Sequence, residues 1–273
     1  MPQVGPDASS AVSPLTLKGT CVFAAMATNP SNPDSIQNPG PLVTDEGKAS
    51  QLLREGAVVS CILAPVGSNY TFLAKIQDDS GQEIRAVYKP RDGEAPLWDF
   101  DSGTLYKREY AAYLLSQVLG WYFIPETVIR EGPYGIGSMQ RYVDHEQNSF
   151  YRAIRESHRE ELKTIACFDI IANNADRKDV HCIRGLDGRI WGIDHGLTFN
   201  HVPTLRTVIW DFWGEPLPPR LQKPLEALLK DLEAPSGQLK ELIDLLQPQE
   251  VEALVQRVSW LVSAKSFPKM RRY

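Results

Sequence analysis

Asn173-Asn174-Ala175-Asp176-Arg177-Lys178-Asp179-Val180-His181 follows directly on the apolar segment 165–172 and runs straight into a hairpin signal. A helix that ends on asparagine accounts for Asn173 or Asn174, since asparagine tolerates the left-handed conformation of a helix C-terminus. It does not call for Asp, Arg, Lys, Asp and His in succession. Strands at 181–184 and 189–193 flank Gly185-Leu186-Asp187-Gly188, a tight-turn sequence. The second strand runs out through Trp191-Gly192-Ile193-Asp194-His195-Gly196. A hairpin of this size returns Asp194 beside Asp176 and His181, which turns a polar run and a strand-end aspartate into one constellation.

Outward from that centre, the chain has two textures. From Gly56 onward come three short β-rich runs, 57–64, 71–76 and 83–89, separated by turn clusters at 65–69 and 78–81. In the third run, alternation puts Ile84, Ala86 and Tyr88 on one face and Arg85, Val87 and Lys89 on the other. A helix is predicted over 105–119, with Leu105, Ala112, Leu115 and Leu119 on one stripe and Gly120 at its stop. Runs 126–131 and 136–143 around Gly132-Pro133 read as a second hairpin. After Asp144, helical spacing dominates, at 149–156, 158–172, 221–232, 238–246 and 249–264. The fold class expected is α+β, two-lobed: a small antiparallel β-rich N-lobe over 48–144 and a mainly helical C-lobe over 145–273. Residues 1–47, rich in Pro, Ser, Asn and Gly, read as a flexible leader.

Four polar features fall where this layout brings them to a cleft between lobes, and together they are the parts that phosphoryl transfer requires. Gly67-Ser68-Asn69, in a turn between strands, has backbone N–H groups and small side chains suited to phosphate oxygens; an ordinary hairpin turn has the same composition. Lys89 points inward from its strand and needs a counter-charge, for which Glu109 on the following helix is the candidate; an edge lysine and a surface glutamate are the bland alternative. Asp176 can accept or orient a hydroxyl proton, Lys178 or Arg177 can neutralise a transferring phosphate, and His181 can bind metal. Asp194 is a strand-end carboxylate, the residue type that ligates divalent cations, followed two residues on by a glycine that lets the chain turn.

The order strand, turn, strand, strand-Lys, helix-Glu, polar loop, hairpin, D-x-G resembles the protein-kinase-like fold over residues 56–250. More narrowly, Val87-Tyr88-Lys89-Pro90-Arg91, Gly93-Glu94-Ala95-Pro96-Leu97-Trp98-Asp99, Asn173-Asn174-Ala175-Asp176-Arg177-Lys178 and Trp191-Gly192-Ile193-Asp194-His195-Gly196 resemble a bacterial phosphatidylinositol 3/4-kinase-like family. The resemblance implies an ATP-dependent kinase acting on an unidentified hydroxyl acceptor. It implies that Lys89 contacts the ATP phosphates and pairs with Glu109, that Gly67, Ser68 and Asn69 lie over them, and that Gln140-Arg141-Tyr142-Val143 is a hinge offering backbone hydrogen bonds to adenine. Asp176 would be the catalytic base, with Lys178 beside it, and Asp194 would hold magnesium. Two departures stand out. His181 occupies the position of the second metal-binding asparagine, which opens the site to manganese, and His195 replaces an apolar residue within D-x-G.

A net charge of -5 and pI near 5.6 leave no general basic surface, which excludes nucleic acid as the expected partner. The basic cluster Lys265, Lys269, Arg271 and Arg272 reads as a solvated tail. Cys21, Cys61, Cys167 and Cys182 form no C-x-x-C pair, so neither zinc nor a disulfide framework is expected. The apolar run 21–27 is too short to span a bilayer, and stable membrane insertion is not expected; the cytoplasm is the expected location. Two other classes remain open at this point: a nucleotide-binding module without turnover, motivated by His181, and a metal-dependent hydrolase built on Asp176, Asp179, His181, Asp194, His195 and His201. Arg206 is the residue of the 197–219 segment singled out for substrate binding, while Trp210 and Trp213 read as loop packing.

Overall fold

Strand β3 (Glu83–Pro90) organises the N-terminal half, because both of its faces are used. It lies third in an antiparallel five-stranded sheet, order β1-β2-β3-β5-β4, with β1 (Ala57–Leu63), β2 (Phe72–Gln77), β4 (Thr127–Gly132) and β5 (Gly135–Arg141). The molecule is described by a computed structural model covering residues 45–65 and 67–269; the proposed leader up to 44, Cys21 and the run 21–27 lie outside the described residues. Ile84, Ala86 and Tyr88 join Phe72, Ala74 and Ile76 on one face, where Ala49, Leu52 and Leu53 of helix α1 (Glu46–Glu55) cover them. That helix was not anticipated. Ala49, Leu52 and Leu53 stand at i, i+3 and i+4 on its buried side, and Asp45, whose Oδ1 accepts from Lys48 N at 3.1 Å, is an N-cap that marks its start. The other face carries Val87 and Lys89 toward the helical half, and this face forms the site.

Helix α2 (Leu105–Val118) is buried on several sides. Leu105, Ala112, Leu115 and Leu119 are all buried as their spacing predicts. Arg108 ties the helix to the second lobe: it donates to Glu250 at 2.6 Å and to the Thr198 carbonyl at 2.7 Å. The second lobe holds α3 (Tyr151–Ile154), α4 (Arg159–Ala172), α5 (Pro219–Asp231), α6 (Gly237–Asp244) and α7 (Pro248–Ala264) around a core of aliphatic and aromatic side chains. A second, three-stranded sheet has the order β6 (His145–Phe150), β7 (Cys182–Gly185), β8 (Ile190–Gly192), with β7 and β8 as the expected hairpin.

Strand β6 (His145–Phe150) replaces the start of a helix predicted at 149–156, which is reduced to α3. His-Glu-Gln-Asn-Ser-Phe has no apolar alternation; its extended form comes from pairing with β7, His145 with Gly185 and Phe150 with Ile183. Cys61, Cys167 and Cys182 are free thiols. Among the described residues, no helix is long and apolar enough to cross a membrane.

Candidate active site

Lys89 is the junction of the two halves. Its Nζ donates to Glu109 Oε1 on α2 and to Asp194 Oδ1, 2.7 Å away, beyond the end of β8. Glu109 is buried, and its second oxygen accepts from His195 N at 2.9 Å. One carboxylate thus holds both the lysine and the backbone beside Asp194. Burial would lower the lysine pKa, but Asp194 and Glu109 outweigh it and raise it. Burial raises the Glu109 carboxyl against the pull of Lys89. For Asp194, burial acts upward, yet Lys89 and His181 dominate and hold it far below the usual carboxylate range. The site therefore presents a fixed ammonium and an ionised carboxylate whose side chain is still 39% exposed.

Asp194 has φ 61°, a left-handed conformation that a non-glycine residue adopts at a cost of about 1–2 kcal/mol. Its neighbours hold it there, through Ile193 N to the His181 carbonyl at 3.0 Å and His195 N to Glu109. Its Oδ2 lies 3.2 Å from His181 Nε2. His181 is buried, which pushes its pKa down to about 3, so the ring is neutral. His195 fills an apolar niche, edge-on to Phe123 and Phe168, with Nε2 accepting from Arg177 at 2.7 Å.

The polar run resolves into two groups of residues. Asn173 caps α4 at φ 51°, Asn174 donates to Asp169 Oδ1 at 2.9 Å, and Asp179 accepts from Arg152 N at 2.8 Å. Arg177 is not available to neutralise a phosphate. It is fully buried, paired through Nε and Nη2 with Asp169, and donates to the carbonyls of His181 and Ile193. Asp176 and Lys178 remain on the cleft side, with Lys178 Nζ 2.8 Å from Asp176 Oδ2 and both side chains partly exposed. Burial raises the Asp176 pKa, and Lys178 opposes that shift.

The β1–β2 turn leaves the sheet at the Lys89 end, since Phe72 pairs with Tyr88. Gly67 there has φ 122°, and Asn69 Oδ1 accepts from Ala95 N at 2.7 Å, which pins the turn to the segment after β3. Gln140 departs from the expected hinge role: it pairs with Val87 on one side and Thr127 on the other, and its amide is buried on Thr127 Oγ1 at 2.9 Å. The backbone N–H of Tyr142 is also taken, by the Arg85 carbonyl at 2.9 Å. The Tyr142 ring packs against an apolar cluster of Val87, Ile183 and Ile193. That cluster escaped the sequence reading, although Val87 sits two residues before Lys89 on the same face. Ile62, Leu73 and Val87 are cross-strand neighbours on this face and form its roof. A cavity of about 610 Å³ is lined by Arg141, Tyr142 and Val143 of the expected hinge, together with Asp144, but by none of Lys89, Asp176, His181 or Asp194.

Asp194 and His181 are the residues that could hold a divalent ion. A neutral imidazole and an ionised carboxylate whose donor atoms converge make a fitting pair, with the remaining positions left to phosphate oxygens or water. Among the described residues no group of three or more His, Cys, Asp or Glu side chains could hold a metal alone. The hydrolase set of Asp176, Asp179, His181, Asp194, His195 and His201 is therefore not assembled, with Asp179 and His195 committed elsewhere.

Protein Rv2133c of Mycobacterium tuberculosis is 34% identical over 238 residues, covering 74% of this chain and 84% of the mycobacterial protein. The chain belongs to the Rv2133c family. No family model matches the chain. Among solved structures, the Golgi casein kinase superposes with TM-score 0.50 at 16% identity, covering 81% of this chain and 76% of the other. The same kinase with Mn/ADP bound gives TM-score 0.51 at the same identity and coverage. These likenesses show that the Rv2133c-family chain has a two-lobed, protein-kinase-like α+β fold.

Proposed function

We propose that the chain is an ATP-dependent phosphotransferase acting on a hydroxyl, with Lys89, Asp176, Lys178, His181 and Asp194 as its working residues. The observation that carries this reading is Lys89 Nζ bridging Glu109 and Asp194 across the two halves. A purely structural ion pair has no need of a second, partly exposed carboxylate beside a neutral histidine. Support also comes from the fold's likeness to the Golgi casein kinase, which is solved with Mn/ADP. In this reading a flat base would lie against the sheet face of Ile62, Leu73 and Val87, with its phosphates running toward Lys89 on the same face.

In this reading, Asp176 takes the proton of the acceptor hydroxyl as its oxygen attacks the terminal phosphorus, and the bond to the ADP oxygen breaks. Lys89 and Lys178 supply positive charge to the phosphates. A magnesium or manganese ion held by Asp194 and His181 would neutralise further phosphate charge. The motif likeness to the phosphatidylinositol 3/4-kinase-like group names a lipid inositol hydroxyl as one acceptor to try, beside protein serine and small alcohols. The direct test is ADP release from ATP with magnesium and with manganese. Nucleotide binding without turnover by either metal would instead support a binding module, the reading that His181 motivates.

Two further outcomes are expected. Ile62 is 60% exposed, so Ile62→Ser leaves the fold intact but removes part of the roof. Losing about 1.5 kcal/mol of apolar contact weakens ADP binding roughly tenfold, as read by calorimetry; unchanged affinity would place the base elsewhere. The second concerns pH. Asp176 must be ionised to act as a base, its pKa is raised by burial, and Lys178 holds it down. Lys178→Met removes that restraint, so the acid limb of the kcat/KM profile moves to higher pH. A profile that stays in place or moves to lower pH would exclude Asp176 as the group responsible.

A further inference from the structure

The segment after Gly196 runs beside the loop that carries Asp176 and is fastened to it along its length. Thr204 N donates to Asn173 Oδ1 at 3.0 Å, Arg206 N to the Asn174 carbonyl at 2.9 Å, Arg177 N to the Arg206 carbonyl at 3.0 Å, and Val208 N to the Arg177 carbonyl at 3.1 Å. Arg206 stands at the middle of this rail. Its backbone is held on both sides, and its Nε donates to the carbonyl of Ala175, the residue next to Asp176, at 2.8 Å. Its side chain is exposed, and no carboxylate of the described residues pairs with it. The guanidinium is therefore fixed at its inner edge, and its two outer nitrogens are presented to solvent. Its charge reaches the Asp176 carboxyl.

We infer that Arg206 recognises an anionic group on the acceptor, so that the hydroxyl phosphorylated here belongs to a molecule carrying a phosphate or carboxylate close to it. This rests on the phosphotransferase reading and adds the chemical class of its substrate. The other cations near Asp176 and Asp194 have different work. Lys89 is taken by Glu109 and Asp194, Lys178 lies on Asp176, and Arg177 is sealed in the core. A neutral acceptor would need no cation beside Asp176. An acidic one must come up to a cleft already lined by Asp176 and Asp194, and a pre-oriented guanidinium fork offsets that repulsion with two parallel charge-assisted hydrogen bonds.

The test saturates the protein with a non-hydrolysable ATP analogue and manganese, so that the nucleotide phosphate positions are filled. Glycerol, glycerol 3-phosphate and glycerate are then titrated by calorimetry into wild type, Arg206→Ala and Arg206→Lys. A charge-assisted hydrogen bond of about 1.5–3 kcal/mol corresponds to roughly 10- to 100-fold in affinity. Wild type is expected to favour at least one anionic probe over glycerol by at least tenfold. Arg206→Ala is expected to abolish the preference and Arg206→Lys to keep part of it. Whether glycerol 3-phosphate or glycerate is favoured distinguishes phosphate from carboxylate as the anion. The inference is overturned if wild type shows no anion preference, if the preference survives Arg206→Ala, or if that substitution weakens glycerol and the anions equally, as a residue that only holds the rail would. Failure of the ATP analogue itself to bind would instead bring down the phosphotransferase reading.

Discussion

Asp194→Asn is expected to reduce ATP turnover by roughly 10²- to 10³-fold, the scale on which a single charge-stabilising group acts in a closed site. The substitution keeps the shape of the side chain and removes its charge. Lys89 retains Glu109, and the backbone of residue 195 retains its bond to the same carboxylate, so the local fold has no reason to open. What is lost is the ionised oxygen that Lys89 and His181 together hold in that state. Two measurements separate chemistry from folding. Single-turnover ADP release should collapse with either metal while the melting temperature moves little, and the manganese-dependent gain in ADP affinity expected of wild type should vanish. Turnover within tenfold of wild type would show that Asp194 is a structural partner of Lys89 and nothing more. Full retention of the manganese effect would move the metal to other residues.

The parts of the site that were legible in the sequence share one property: their signal is local. Lys89 was readable because β-alternation fixes its face, and Asp194 because a turn sequence fixes the length of its hairpin. Glu109 lies on a helix whose stripe of Leu105, Ala112, Leu115 and Leu119 fixes which residues turn inward. The parts that stayed hidden depend on partners distant in sequence. Nothing in the run from Asn173 to His181 distinguishes Arg177 from Lys178; the difference is Asp169, one turn back inside the core, which claims one cation and leaves the other in the cleft. Gln140 entered the hinge through the resemblance to kinase-like chains, but both neighbouring strands take up its place in the sheet. Strand β6 has no pattern of its own, and only β7 makes it a strand. Val87, Ile183 and Ile193 lie far apart in the sequence, and only the fold brings them together into one buried cluster.

Arg177→Met is expected to cost about 3–5 kcal/mol of stability, the usual consequence of breaking a buried ion pair by removing one partner. Both side chains of the pair are fully buried, and the guanidinium is satisfied on every side. It reaches both oxygens of Asp169, the carbonyls of His181 and Ile193, and Nε2 of His195. Methionine fills the volume but leaves the Asp169 carboxyl group in the core with only Asn174 and the long contact to Thr207 as side-chain polar partners. For a domain of this size the loss corresponds to a fall in melting temperature on the order of 10 °C. Asp169→Asn combined with Arg177→Met should cost less than the sum of the two single changes, because the double variant no longer buries an unpaired charge. The same arginine ties the carbonyls on either side of the candidate metal residues, so turnover should fall along with stability. A protein that keeps its melting temperature within 2 °C, roughly the shift from half a kcal/mol or less, yet loses turnover would show that Arg177 acts in the chemistry, as the sequence first allowed, rather than in holding His181 and Asp194 in place.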